Sequence, residues 1–547
     1  MKTAATIRAL TRRSLDLLDR HQVPVLLALI AVVHFIVNLL WLRQDAFYLE
    51  RVPDAFSHYY GVARLASDAE LFGPLALLGD LREINGHYSM VALLPSALAG
   101  LALGKTALVL RAANVLFFVV ALVSVYAIGR RCHGRRAGLL SAALFSLMPA
   151  AYAGWRTIGL DFPALCLTAA AVVFLLRSDG FRRRRDAALF GLVAGLATLA
   201  KPTSLFFLFF PAAHVLATGL LAARRDRAAL LRVLRGAALC LAVLVLATAP
   251  YWAGRMHRMA DLLTSHTTAH GMLRTEGDIS LAGGIKHYLL ALPLLFNGPL
   301  TLTAFLVLPL FFRRGRHRWV ILLWLLVPLL IHMGLKIRHQ RYIFPLVPAA
   351  AVVLGVGLAA LRHRLRGWIV GLVGAISVVL WIACSFIPGQ REGGSERVLS
   401  VIYRWQRTPG RPHTLSLLPD SVTGYVCSCG GSQFSGPPTR REELPLDRTL
   451  SNAVRVIERR HRAGRGAVVL VQGDPEVGAE PQMMQALAIL SGALPRLSIA
   501  VVGGERDLER YKGVRRYFLG QPPGAGWVPV TEAHSPFVLW REARDAP

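Results

Sequence analysis

The sequence predicts a polytopic α-helical membrane protein that continues into a C-terminal soluble α/β domain on the extracytoplasmic side. Of its 547 residues, 54% are hydrophobic and 17% are charged, and the mean hydropathy is +0.47. A soluble core cannot bury that much apolar surface. Apolar runs of about 20 residues, long enough to cross a bilayer about 30 Å thick, alternate with short arginine clusters. These runs predict about eleven membrane spans.

The positions of arginine predict the topology. The net charge is +30, which in a soluble chain would suggest a nucleic-acid partner. Here the positive charge lies in short loops between apolar runs, as is typical of loops that stay in the cytoplasm, so we expect no nucleic-acid binding. These loops are residues 130–136, 177–185, 224–235, 313–318 and 362–366.

The chain must cross the membrane an even number of times between two cytoplasmic loops. With the N-terminus in the cytoplasm and the first span at 23–42, only one further crossing is allowed before the first arginine loop, although two apolar runs, 88–103 and 107–128, lie in between. Residues 43–105 then form a long outer loop that lies partly in the membrane interface. The predicted spans are residues 23–42, 107–128, 138–155, 162–176, 187–200, 203–222, 236–253, 290–312, 319–335, 342–361 and 368–388.

An odd number of spans places the C-terminal region outside the cell membrane. The composition becomes polar and rich in Pro and Gly after residue 388, so the sequence divides into a transmembrane domain, 1–388, and a soluble domain, 389–547. Alternating patterns in the soluble domain predict strands at 414–418, 467–472, 498–502 and 537–540 and helices near 446–461 and 482–494. The six cysteines are scattered and form no metal-binding pair; free thiols and a labile disulfide both remain open for Cys427 and Cys429.

Ionisable residues at the outer boundaries of apolar runs are the candidates for chemistry, because a charge inside a membrane is costly and requires a reason. Asp54 follows the first span, Asp161 lies at the next outer turn, and Lys201 separates two short apolar runs. A further outer turn, residues 336–342, concentrates cations. Cations opposite carboxylates are the groups that would bind a phosphate and activate a hydroxyl.

Each candidate also has a purely structural interpretation. The two aspartates could cap helices, Lys201 could extend to the lipid headgroups, and the turn at 336–342 could anchor the membrane surface.

The order of these motifs resembles a known family. An Asp after the first span is followed by an outer Asp-x-Pro at 161–163, a Gly-Leu-x-x-Leu-x-Lys turn at 195–201 and an Arg-Tyr-x-x-Pro-x-x-Pro turn at 341–348. This order, over about residues 20–365, resembles the GT-C glycosyltransferases, in particular the dolichyl-phosphate-mannose protein mannosyltransferase and aminoarabinose transferase family. The resemblance implies transfer of a sugar, with inversion, from a polyprenyl-phosphate donor in the bilayer to a hydroxyl acceptor on the extracytoplasmic face of the plasma (inner) membrane.

The resemblance also implies roles for individual residues. Asp54 matches the catalytic aspartate of the family, and Asp161 matches a second outer aspartate. The residues expected to bind substrate are His87, Lys201, Lys336, Arg338, His339, Arg341 and Tyr342. No Asp-x-Asp occurs in the first outer loop, so we expect no obligatory metal and no cofactor.

The sequence departs from the family pattern at two places. Ala55 stands where the family usually has Glu, and Ser89-Met90 stands where it often has two prolines. The identity of the sugar and the class of acceptor, whether cell-envelope glycan, lipid or protein, therefore stay open.

Two other classes of function remain open. A multispanning transporter would place ionisable residues near the middle of the membrane and would have broken helices in paired repeats. A non-catalytic envelope-assembly protein would not require Lys201 and Arg341 to converge with Asp54. The position of these three side chains distinguishes the alternatives.

Overall fold

The computed structural model describes residues 22–42, 53–75, 89–253, 280–335, 338 and 340–386, together with five strands in the C-terminal region. The predicted strand at 414–418, the predicted helices near 446–461 and 482–494, and the pair Cys427 and Cys429 lie outside the described residues.

The described membrane region is almost entirely helical. Short 3₁₀ helices lie at Met90–Leu93, Gly154–Arg156 and Gln340–Leu346. The α-helices are α1 Gln22–Leu42, α2 Pro53–Phe72, α3 Leu94–Leu103, α4 Ala107–Ala112, α5 Val115–His133, α6 Arg135–Ser146, α7 Pro149–Tyr152, α8 Asp161–Arg177, α9 Arg184–Ala200, α10 Ser204–Ala223, α11 Arg227–Trp252, α12 Leu281–Phe296, α13 Gly298–Arg314, α14 Arg318–Gly334, α15 Val347–Ala359 and α16 His363–Phe386.

The chain is a multi-pass membrane protein. Within the described residues, six helices are long and apolar enough to cross a membrane, and two bent helix pairs raise this number to eight. Helices α8, α9 and α14 have 17 residues each, which corresponds to about 25 Å and lies at the short end of the range that can span. Within the described residues, each predicted span coincides with one or more helices. The total of about eleven spans stays a prediction.

The predicted span at 290–312 is not one continuous helix. Helices α12 and α13 meet there at an angle of 109°. The break is at Asn297, which has a φ of +61° and whose side-chain oxygen accepts a hydrogen bond of 2.9 Å from the Leu300 amide, so it ends one helix and caps the next. Hydropathy does not register this break because both sides of Asn297 are apolar.

The predicted span at 138–155 is also bent. Helix α6 and the segment from Pro149 to Arg156 form an angle of 69°. Proline at residue 149 cannot continue the hydrogen-bonding pattern of α6, and it starts the next short helix instead.

Hydrogen bonds between distant helices define two ends of the helix bundle. At one end, Arg156 joins Asn38, near the C-terminus of α1, to Ser385, near the C-terminus of α16. At the other end, Arg135 donates to Gln22 at the start of α1. We call the end with Arg156 the site end and the end with Arg135 the basic end. Because α1 and α16 both finish at the site end, the number of crossings from α1 to α16 is odd, in agreement with the parity used for the prediction.

Helix α15 lies at the centre of the membrane region. Each residue from Val347 to Leu358 is buried. A Cβ at Gly355 would lie 2.1 Å from the Ser141 hydroxyl oxygen of α6, so the two backbones approach closely, as is typical where small residues line membrane-helix contacts.

The C-terminal strands form one mixed sheet. Strands β1 Ala467–Gln472, β2 Ser498–Val502, β3 Arg515–Leu519, β4 Trp527–Pro529 and β5 Leu539–Glu542 follow the order β2-β1-β3-β5-β4. Strand β1 is parallel to β2 and β3, and β5 is antiparallel to β3 and β4. Strands β1 and β2 lie at the predicted residues, and β5 overlaps the predicted 537–540. Strand β2 also contacts helix α2 of the outer loop.

Candidate active site

An ion pair between Lys201 and Asp161 forms the centre of the site. Lys201 follows the last residue of α9 and has extended backbone torsions, φ −156° and ψ 120°, because the residue before a proline avoids the helical region. Its ammonium donates to the carboxylate of Asp161, the first residue of α8. The side chains are only 10% and 19% exposed. A pair this deeply buried holds both charges in fixed positions.

An aromatic ring borders this ion pair. Tyr342, in the 3₁₀ helix Gln340–Leu346, has its ring centroid 4.7 Å from the Lys201 ammonium nitrogen and 5.8 Å from the guanidinium carbon of Arg341. Contact with the face of the ring favours both cations. The structure therefore brings together four of the predicted site residues: Asp161, Lys201, Arg341 and Tyr342.

Arg338 holds the main chain around the site. It is 4% exposed. Its Nε donates to the Leu335 carbonyl at 3.1 Å, and a terminal nitrogen donates to the Ser280 carbonyl at 2.5 Å. The guanidinium thus joins the turn after α14 to the residue that caps α12, and these contacts give Arg338 a positioning role.

Helix α2 carries the predicted catalytic aspartate in its first turn. Asp54 is the second residue of Pro53–Phe72. Its side chain, together with His87, Lys336 and His339, lies outside the described residues.

Buried charges that the sequence analysis did not select lie in α2 and beside it. Lys105 is 1% exposed, and its ammonium lies 2.5 Å from the Glu70 carboxylate near the end of α2. The Tyr59 hydroxyl donates to the Lys105 carbonyl at 3.2 Å. Asp68 is fully buried and lies 3.5 Å from Arg64. The four-residue spacing of this last pair is visible in the sequence and could have identified it.

Arg156, the first residue after the predicted span 138–155, is fully buried. Its Nε donates to Asn38 at 2.5 Å and a terminal nitrogen donates to Ser385 at 2.6 Å. The guanidinium carbon lies 4.8 Å from the Trp41 ring and 5.3 Å from the Tyr152 ring. These contacts connect three parts of the chain that are far apart in the sequence.

Comparison with known proteins agrees with this architecture. A family model described as dolichyl-phosphate-mannose-protein mannosyltransferase matches residues 88–252. The crystal structure of ArnT from Cupriavidus metallidurans bound to undecaprenyl phosphate aligns with a TM-score of 0.53 at 13% identity, covering 94% of this chain and 97% of that one. The apo form of the same protein aligns with a TM-score of 0.51 at 15% identity, covering 97% and 99%.

The chain has the GT-C fold. This finding confirms the fold that the order of the motifs indicated. The matched region 88–252 contains both members of the central ion pair, Asp161 and Lys201, and the GT-C architecture extends beyond it over nearly the whole chain. The sequence has no significant match among curated proteins.

Proposed function

We propose that this protein is a membrane glycosyltransferase. It moves a sugar, with inversion, from a polyprenyl-phosphate donor to a hydroxyl acceptor on the extracytoplasmic face of the plasma membrane. The observation that carries the proposal is the cluster of Asp161, Lys201, Arg341 and Tyr342 at one end of a GT-C helix bundle. The related ArnT structure contains undecaprenyl phosphate, a ligand of the class proposed as donor carrier here.

The cations in this cluster stabilise the leaving group. When the bond between sugar and phosphate breaks, negative charge develops on the lipid phosphate, and fixed cations in a site partly shielded from water stabilise that charge strongly. Lys201 and Arg341 supply these cations, and Tyr342 lies against both side chains. Asp161 accepts from the Lys201 ammonium and so orients it, while the remaining ammonium protons can donate to phosphate oxygens.

Asp54 acts as the general base in this proposal. A hydroxyl acceptor is a weak nucleophile, and a carboxylate that removes its proton accelerates attack on the anomeric carbon. The buried ammonium of Lys105 pairs with Glu70 of the helix that carries Asp54, which supports a fixed position for the base.

The C-terminal domain guides the acceptor and takes no part in bond breaking. None of the family motifs falls in residues 389–547. The contact of β2 with α2 supports a location of the sheet beside the outer loop, where an acceptor would arrive.

A transfer assay with the purified full-length protein tests the function. Polyprenyl-phosphate donors with different sugars are supplied in turn, and release of polyprenyl phosphate is measured together with the glycosylated product or the free sugar. We expect one donor class to react and Lys201→Ala to abolish the reaction. The matched control is Lys286→Ala, an exposed lysine of α12, which should react normally. Transport of an intact donor without bond cleavage would instead indicate that the protein is a transporter.

A further inference from the structure

A polar cavity lies in the helix bundle, away from the site described above. Its volume is about 590 Å³. Its polar wall consists of Asp179, Arg182, His214, Arg316, His317 and Arg318, and apolar side chains such as Leu176 and Val215 form the rest.

The cavity is at the basic end of the bundle. Helix α8 starts at Asp161 in the central ion pair, and Leu175 of the same helix lines the cavity. Fourteen helical residues separate them, which places the cavity about 21 Å from the pair. Helix α10 follows Lys201 at its start and reaches the cavity with Thr218 near its end. The cavity and the catalytic cluster are therefore at opposite membrane faces.

A tight turn forms the floor of the cavity. Asp179, Gly180 and Phe181 have φ values of +53°, +67° and +65°, a left-handed conformation that side chains other than glycine rarely adopt. Gly180 meets Gly219 of α10 so closely that a Cβ at Gly219 would lie 2.6 Å from the Gly180 carbonyl oxygen. The close approach fixes the turn and the following Arg182 against the helix.

The charges of the cavity match an anion. Three arginines face one carboxylate, Asp179, among the lining residues. The Nε of Arg182 is buried and has no hydrogen-bond partner within the described part of the chain. A buried donor without a partner is costly, so a ligand that accepts from it is favoured. Arg316 is held in place because its amide donates to the Cys132 carbonyl at 2.9 Å.

The position of the cavity determines which anion fits. Its walls combine cations with apolar side chains at the level where spans end, and Trp319 on its rim is 52% exposed, as is typical of aromatic residues at the membrane interface. Basic pockets between membrane helices bind the headgroups of anionic lipids.

We propose that this cavity is a binding site for an anionic phospholipid of the membrane leaflet opposite the active site. Arg182 and Arg316 bind the headgroup phosphate, and an acyl chain lies along Leu176 and Val215. The site is separate from the donor lipid site and does not depend on the reaction assigned to the protein.

Native mass spectrometry of the full-length protein in detergent, after removal of bound lipid, tests the proposal. Phosphatidylglycerol, phosphatidylcholine and soluble glycerol 3-phosphate are titrated separately. We expect one phosphatidylglycerol to bind at least about tenfold more tightly than phosphatidylcholine. Arg182→Gln with Arg316→Gln should weaken that binding roughly tenfold or more, because the headgroup phosphate loses two cationic partners.

A matched double variant is the control. Arg225→Gln with Arg232→Gln removes two exposed arginines from the same face without touching the cavity and should bind like the wild type. If the cavity variant does not fold, Thr218→Trp fills the space while it keeps every charge, and it should also exclude the lipid.

Three results would overturn the proposal. These are unchanged phosphatidylglycerol affinity in the cavity variants, equal affinity for phosphatidylcholine, and glycerol 3-phosphate that binds as tightly as the lipid. The last result would identify a site for a soluble phosphate compound.

Discussion

The two ends of the helix bundle treat positive charge in opposite ways. At the site end, cations are buried and partnered: Lys201 is 8% exposed and pairs with Asp161, and Arg338 is 4% exposed and donates to two carbonyls. At the basic end, Arg316 and Arg318 are exposed to solvent. Positive charge at the site end is thus held at fixed points for chemistry, whereas at the basic end solvated charge orients the chain in the membrane.

This difference predicts how each end responds to substitution. A buried, partnered charge cannot be removed without leaving its partner in a poor environment. A solvated arginine can be removed at little cost to folding.

The largest effect is expected from the proposed base. Asp54→Asn keeps the shape of the side chain but removes its basicity, so sugar transfer should fall by roughly 10² to 10⁴ while donor binding stays unchanged. Asp226→Asn at the basic end is the control, because asparagine also caps helices and Asp226 caps α11. Transfer at nearly the wild-type rate by the Asp54 variant would make that residue a helix cap and move the search for a base to Asp161.

The next effect concerns the central ion pair. Lys201→Met or Asp161→Asn alone leaves the other charge buried without this partner, and each should lower the free energy of unfolding by about 3 kcal/mol. The double variant should lose much less than the sum, because no unpaired charge remains. Denaturant titrations of the four proteins measure this coupling. Strictly additive losses would show that the two residues do not interact.

A smaller effect is expected at the turn that forms the lipid cavity. Gly219→Ala places a Cβ against the Gly180 carbonyl oxygen and should lower the unfolding free energy by about 1–3 kcal/mol. Gly374→Ala, in α16, meets nothing within 4 Å and should be neutral or slightly stabilising. Thermal unfolding in one detergent compares the two variants. Equal stability would contradict the close packing of the turn.

The smallest effect is a pH dependence at the basic end. Burial, followed by the charges of Arg131 and Arg316, holds the pKa of His317 below 6.5, and Asp179 opposes the shift. The unfolded chain therefore takes up a proton before the folded protein does, so the stabilisation is complete above pH 6.5 and declines as the pH falls below it. His317→Gln should remove this component. The melting temperature of the wild type relative to that of the variant should decrease as the pH falls from 8 to 5.5, and parallel curves would refute the assignment.

The sequence was sufficient for the features that depend on local pattern. Span length and arginine placement predicted the helical membrane region, and the extended residue at Lys201 follows from the proline after it. The order of the motifs indicated the GT-C fold before any comparison. Four of the predicted site residues lie together, and the predicted role of each stays a prediction.

The features that the sequence did not predict depend on distant parts of the chain. The break at Asn297 lies within continuous apolar sequence, and Arg156 looks like an ordinary cation of an outer turn. Lys105 is buried beside Glu70, which lies 35 residues earlier in the chain. Strand β3 begins with two arginines and so shows no apolar alternation. Pairwise contacts over such separations leave no periodic signal in one sequence.

The buried position of Arg156 has a consequence for the order in which the protein is made. Its two hydrogen-bond partners are 118 residues before it and 229 residues after it. A nascent chain that has not yet released α16 from the ribosome lacks the Ser385 hydroxyl, so the buried guanidinium has Asn38 but not its partner from α16. The contact that joins α1 to α16 through Arg156 therefore forms only after residue 385 has been synthesised.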